Sequence, residues 1–254
     1  MFKDIINGIT AYGKALSLTA KLGLWGYFFV PALISLLLAG MIGFSAYSLA
    51  DNFGAMLINW YPFEWGAGVV EKIASVASGL ALGAIGILLY KNLVIVLAGP
   101  FMSPLSEKVE NYLTGSKHNT QFKPAKMIRD IVRGLRIALR LVVRELFYTF
   151  LLILLGLIPI FAPFTAIGIF LVQSFYGGAG NMDYALERHF NVRGSIRFVK
   201  DNRGVALGNG IVFIGLLLTG IGFLVAPPLA AIAATIESVK KLDRPVAEAP
   251  IDYV

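Results

Sequence analysis

Four long and almost uncharged stretches decide what this chain can fold into. They run from Leu22 to Ala50, Ile73 to Ser106, Leu146 to Met182 and Gly204 to Ile236. Each reaches or exceeds the roughly 20 apolar residues that carry a helix across a bilayer core. Composition agrees: 57% of the 254 residues are apolar and 15% are charged, against about 45–50% and 25% in soluble domains. The expected fold class is therefore an all-α integral membrane protein, residues 1–254 forming one membrane domain.

The net charge of +7 sits in the segments between the apolar stretches. Lys and Arg mark cytoplasmic loops, so the clusters at 1–21, 107–145, 183–203 and 240–244 belong on one side. Two single crossings, 22–50 and 73–98, leave that side and return to it. The stretches 146–182 and 204–236 each begin and end beside basic loops, so each crosses an even number of times. Both are interrupted by proline, at Pro159-Ile-Phe-Ala-Pro163 and at Pro227-Pro228. Proline lacks an amide donor and clashes with the preceding turn, which makes these the places to fold back. The expectation is two long transmembrane helices plus two helical hairpins, either fully spanning or hemi-penetrating. As a helix, 146–158 would be about 20 Å long against a core of about 30 Å, which favours partial penetration. Both termini, including the tail 240–254, are then cytoplasmic. The two turns are faintly alike, Gly156-Leu-Ile-Pro-Ile-Phe-Ala-Pro beside Gly222-Phe-Leu-Val-Ala-Pro-Pro.

Residues 1–21 carry Lys3, Asn7, Thr10, Lys14, Ser17 and Lys21 on one helical stripe, with Phe2, Ile5, Ile6, Ile9 and Leu16 opposite. That pattern is an amphipathic helix, lying on the membrane surface or packed on other protein. The loop 51–72 holds Trp60, Tyr61, Phe63 and Trp65, residues that favour the headgroup level. In the second span, Gly79 and Gly83 permit close helix approach, and Lys91 is either a functional charge or one that snorkels to the interface.

The stretch 107–145 holds nine Lys or Arg against four acids, in basic cytoplasmic helices. Arg129, Arg133, Arg136, Arg140 and Arg144, joined by Lys126, fall within an arc of roughly 80°. Such a cationic edge attracts lipid phosphate or draws an anion toward a pore mouth. Nucleic acid is not an expected partner, because no nucleic-acid module occurs.

Catalytic chemistry finds little purchase. There is no cysteine, and only His118 and His189 among histidines, so neither a thiol nucleophile nor a zinc motif is available. Glu107 and Glu110 lie one turn apart, either as a proton-accepting pair or as first-turn acids that complement a helix dipole, with Ser103 or Ser106 capping. No nucleophile, base and orienting group come together, so no enzyme, metal or cofactor is expected. The first apolar run, 29 residues long, exceeds the apolar region of a cleavable signal peptide.

Two segments resemble the CysZ-type sulfate permeases and their etoposide-induced-protein-like relatives. Ala98-Gly-Pro-Phe-Met-Ser-Pro-Leu-Ser-Glu-Lys-Val-Glu110 is similar to a signature of that family, carried here by Pro100, Phe101, Leu105, Glu107, Lys108 and Glu110. Met182-Asp-Tyr-Ala-Leu-Glu-Arg-His189, followed by Arg197-Phe-Val and Asn202-Arg-Gly204, is similar to a second one, with Asp183, Tyr184 and His189. The resemblance covers roughly residues 5–240. It implies a bacterial inner-membrane, multi-pass homo-oligomer with two long spans and hemi-penetrating helix pairs. It also implies uptake of sulfate or a related small oxyanion for cysteine synthesis, without ATP. Where the family's permeases carry Gly-Leu-Arg-Arg before the first span, this chain has Gly23-Leu24-Trp25-Gly26. The backbone amides of Gly23 and Leu24, with Lys21 and Trp25 beside them, are then the expected oxyanion cradle. A membrane scaffold or lipid-interacting protein of the same fold is the alternative.

Overall fold

The structure, a computed structural model, describes residues 1–58, 86, 90, 93, 94, 96–115, 124–156, 158–219 and 222–242, and every regular element among them is helical. In chain order these are α1 (Phe2–Leu22), α2 (Gly26–Ile58), α3 (96–114), α4 (Pro124–Gly156), α5 (Ala162–Leu186), α6 (Val192–Asp201), α7 (Arg203–Leu218) and α8 (Ala226–Leu242). Short 3₁₀ turns at Pro159–Phe161 and Gly222–Leu224 precede α5 and α8. The aromatic loop 51–72, Gly79, Gly83, Lys91, His118 and most of the 73–98 span lie outside the described residues, as do the side chains of Lys126 and Arg129.

Helices α1, α5, α7 and α8 form the body. Small residues set their spacing. A β-carbon on Gly210 of α7 would fall on the Ser174 carbonyl of α5, and one on Gly178 would fall on the Ala206 carbonyl of α7. The two backbones thus approach as small-residue interfaces in membranes do. At the same level a polar junction ties the four helices. The Asn181 amide nitrogen donates to Asn209 Oδ1 (3.0 Å), that of Asn209 donates to the Ala230 carbonyl (3.1 Å), and the Tyr12 hydroxyl donates to the Asn209 carbonyl (2.8 Å). Both asparagines are 1% exposed, so these bonds remove donors that would be costly in an apolar interior.

Among the described residues, two helices are long and apolar enough to cross a membrane, Gly26–Leu49 and Ala162–Leu186. The first is α2, which the sequence placed from Leu22. The chain instead breaks at Gly23, whose φ of 62° ends α1 in the left-handed region, a conformation glycine adopts without a β-carbon penalty. Along α2, Phe29, Leu33, Leu37, Met41 and Phe44 stand bare on the outer surface.

Helix α1 uses a face its pattern did not announce. Gly8, Ala11, Tyr12, Ala15 and Thr19 are buried against α7 and α8, while Phe2, Ile6, Ile9 and Leu16 remain exposed beside them. The small residues pack on protein, and the large apolar ones form a separate outward stripe.

A second boundary also moves. The basic stretch ending at 145 and the apolar stretch from 146 are one uninterrupted helix, α4, because neither Gly nor Pro stands between Gly134 and Gly156 to break it. Ile137 and Leu141 are buried against α5, and Glu145 and Thr149 continue the same seam. Beyond it Phe147, Phe150, Leu151, Ile153, Leu154 and Leu155 are exposed, as are Ile160, Phe164, Ile167 and Leu171 on the way back.

Candidate functional site

The two sequence signatures meet in space. Helix α3 brings Ser103, Ser106 and Glu110 against the C-terminal end of α5, where Tyr184, Glu187, Arg188 and His189 follow one another. Arg188 donates from Nε and Nη2 to Glu110 Oε2, at 2.8 and 2.6 Å. It also donates to Ser106 Oγ (2.8 Å) and to the Tyr184 carbonyl (2.7 Å). His189 Nε2 lies 2.5 Å from Glu110 Oε1, Ser106 Oγ lies 2.7 Å from Thr235 Oγ1 on α8, and Ser103 donates to Glu187. One guanidinium and one carboxylate thereby join α3 to the end of α5, and the Ser106–Thr235 hydroxyl pair adds α8.

Burial pushes the Glu110 carboxyl up, but the His189 hydrogen bond and the Arg188 charge outweigh it and leave the group below its ordinary value. Glu110 is therefore charged and paired at neutral pH. The expected roles of Ser103 and Ser106 as helix caps are corrected: α3 already runs from 96, so both are interior to the helix and bind the α5 end instead. Glu107 does not form a carboxylate pair with Glu110, whose two oxygens are taken by Arg188 and His189. Leu105 is fully buried, whereas Pro100 is half-buried and Phe101 exposed.

A second clamp takes an arginine out of the basic stripe. Arg133 grips Asp183 with two parallel bonds, Nη1 to Oδ2 (3.0 Å) and Nη2 to Oδ1 (3.2 Å). Its Nη2 also donates to the Phe190 carbonyl (3.1 Å) and to Ser195 Oγ (2.7 Å). Bidentate geometry of this kind fixes orientation as well as contributing energy. Arg133 thus docks α4 onto α5 and α6 and is not offered to lipid or anion. Arg136, Arg140 and Arg144 stay exposed and form no salt bridge among the described residues. Periodicity alone could not separate Arg133 from its neighbours. The signal was Asp183, the acid in the second signature, which needs a cation once buried.

The turn between α1 and α2 differs from the expected cradle. The Leu24 amide donates to the Thr19 carbonyl (3.0 Å) and the Gly23 amide to that of Ala20 (3.4 Å), the pair of bonds that closes a helix C-terminus. Leu24 is 2% exposed, inside the core. Both amides are spent on the cap and cannot also hold an anion. Those of Trp25 and Gly26, at the positive end of α2, meet no backbone acceptor among the described residues.

Beside them lies a cavity of about 340 Å³ lined by Gly23, Gly26, Tyr27, Val30 and Phe101. Lys108 sits 5.0 Å over the Tyr27 ring, and Lys21 sits 5.2 Å over that of Tyr112. The structure thus gathers Lys21, Gly23, Trp25, Phe101 and Lys108 in one neighbourhood, and places Asp183, Tyr184 and His189 in the clamps behind it.

No curated protein matches the chain. The family described as sulfate transporter CysZ/etoposide-induced protein 2.4 has a model that matches residues 11–228, a span that holds the α1–α2 turn, both clamps and most of the helices of the body. The chain belongs to that family.

Proposed function

We propose that this protein is an inner-membrane permease or channel for sulfate or a related small oxyanion, with its basic ends and both termini in the cytoplasm. The observation that carries the reading is the family match across residues 11–228. The cavity at the start of α2 supports it. Sulfate presents only acceptors, and the groups around the cavity are donors: the Trp25 and Gly26 amides, Lys21 and Lys108. The lining itself is apolar and supplies no competing carboxylate. With Trp25 and Gly26 standing where the family's permeases carry two arginines, the ion is held by amides and lysines rather than by guanidinium forks. Loose binding suits conduction, which requires that an ion be able to leave.

The bare helix surfaces support the membrane arrangement. From Phe147 to Gly156 the exposed end of α4 rises about 14 Å, less than a hydrocarbon core of about 30 Å. On this reading the α4–α5 pair enters one leaflet, α2 crosses, and further copies complete the ion path as a homo-oligomer. Sulfate delivered this way feeds cysteine synthesis.

Labelled sulfate flux into liposomes containing the purified protein tests the reading. Uptake above that of empty liposomes is expected, with a several-fold drop in Lys108→Gln. Uptake equal to empty liposomes at both acidic and neutral pH would overturn it and favour a membrane scaffold of the same fold.

A further inference from the structure

A cleft between α4, α5 and α6 carries charge that no acid among the described residues pairs with. Its floor is apolar, built from Ile137, Leu141, Phe175, Tyr176, Ala179 and Val199, and its volume is about 140 Å³. Asp183 and Ser195 lie at one end, Arg144 and Lys200 line the rest, and Asp183 is the one acid of the lining. That acid is already neutralised by Arg133, which is not part of the lining. The rim therefore retains both charges, and among the described residues neither Arg144 nor Lys200 forms a salt bridge.

The surroundings define what such a rim accepts. One turn beyond Arg144, Tyr148 stacks on Tyr176 with ring centroids 6.5 Å apart, Phe147 packs edge-on to Tyr148, and Phe175 packs edge-on to Tyr176. Aromatic side chains in such a group sit at the headgroup level of a membrane. Past them the bare apolar surface of α4 begins, with Leu151, Leu154 and Leu155 exposed. A free inorganic anion would gain the two cations but would lose water against an apolar floor. An amphiphile with an anionic head satisfies both parts, its phosphate on the rim and its chains along α4.

We propose that the α4–α5–α6 cleft is a binding site for an anionic phospholipid, with the headgroup phosphate held by Arg144 and Lys200. The site rests on the membrane placement of the α4–α5 pair and not on sulfate transport. The remaining exposed arginines of α4 then act as a general cationic surface, whereas Arg144 serves a defined headgroup.

The test uses the full-length protein in a neutral detergent, titrated with short-chain phosphatidylglycerol or phosphatidylcholine and followed by the shift in melting temperature. Phosphatidylglycerol is expected to bind at least tenfold tighter than phosphatidylcholine. Arg144→Gln with Lys200→Gln should weaken phosphatidylglycerol roughly thirtyfold, and either change alone roughly fivefold. Arg144→Lys should restore most of the affinity. Arg197→Gln, an exposed cation on α6 outside the lining, should leave it within twofold.

Three results would overturn the proposal: equal binding of the two lipids, an Arg197→Gln loss as large as that of the double variant, or displacement of the lipid by millimolar inorganic phosphate or sulfate. The last would assign the cleft to a free anion. Measured in the same preparation, sulfate flux separates the readings, since loss of flux with lipid binding intact counts against the permease alone.

Discussion

The two apolar hairpins are alike as sequence and unlike as structure. Both turn at proline, both lack charge, and both end in a short 3₁₀ turn before the returning helix. Yet the α7–α8 pair is buried through most of its length, whereas the α4–α5 pair exposes large side chains from Leu146 to Leu171. Side-chain size separates them. Helices α7 and α8 present Gly204, Gly208, Gly210, Ala230, Ala231, Ala233 and Ala234 to their neighbours. The distal α4–α5 pair offers Phe150, Ile153, Leu154, Phe164 and Ile167. Lipid tails are as apolar as leucine, so large aliphatic groups gain little by leaving lipid for protein, while small ones let backbones meet. An apolar run tells where a helix sits in a membrane, and its residue volumes tell which neighbour it has.

The sharpest way to break this contrast is at the α5–α7 contact. Gly210→Ala places a methyl group on the Ser174 carbonyl and should cost about 3 kcal/mol, read as a large fall in melting temperature in detergent. A melting temperature equal to wild type would mean that close approach does not hold α7–α8 in place.

A smaller effect is expected at the base of α5, which is held by charge rather than by shape. Glu110→Gln should cost about 2 kcal/mol, because Arg188 loses its charged partner in a half-buried setting. The same pair sets a pH dependence. The folded-state Glu110 value lies below the ordinary 4.5, so its contribution is fully present above that pH and is lost as pH falls through the lowered value. Acid melts should show this slope in the wild type and a flatter one in Glu110→Gln. Identical slopes would remove Glu110 from the account.

The smallest effect should come from the bare hairpin. Ile153→Ala on α4 leaves no cavity in the protein and should change stability by less than about 0.5 kcal/mol. A loss of several kcal/mol would place Ile153 against another copy of the chain rather than against lipid.

Much of the architecture was legible. Proline marked both turns, the 3.6-residue period marked α1 and α4, and the paired signatures marked the residues that meet behind the α2 cavity. What the residues did not announce shares one cause, the reuse of a single pattern for two purposes. Gly23 and Leu24 read as amides free for an anion, but a glycine after a helix is equally a C-terminal cap, and the cap takes precedence because the carbonyls of Thr19 and Ala20 are already in reach. Arg133 falls on the same stripe as Arg136 and Arg140, and only the position of Asp183 in three dimensions takes it out of that set. The packed face of α1 was hidden because Gly8, Ala11 and Ala15 score as weakly apolar beside Phe2 and Ile6, although small size is what lets them pack. Continuity of α4 was obscured by a change of composition at Leu146 that the backbone does not register.

The junction at Asn209 has a mechanical consequence. Tyr12, Asn181 and the Ala230 carbonyl each bond to that residue from a different helix. Sliding any one of these helices by a single turn, about 5.4 Å, would carry its partner out of reach and leave polar atoms facing aliphatic ones. The four helices are therefore keyed to one register, like wards in a lock. On the proposed permease reading, a rearrangement that admits an ion would move α2 and the α1–α2 turn against this body, which stays one rigid unit.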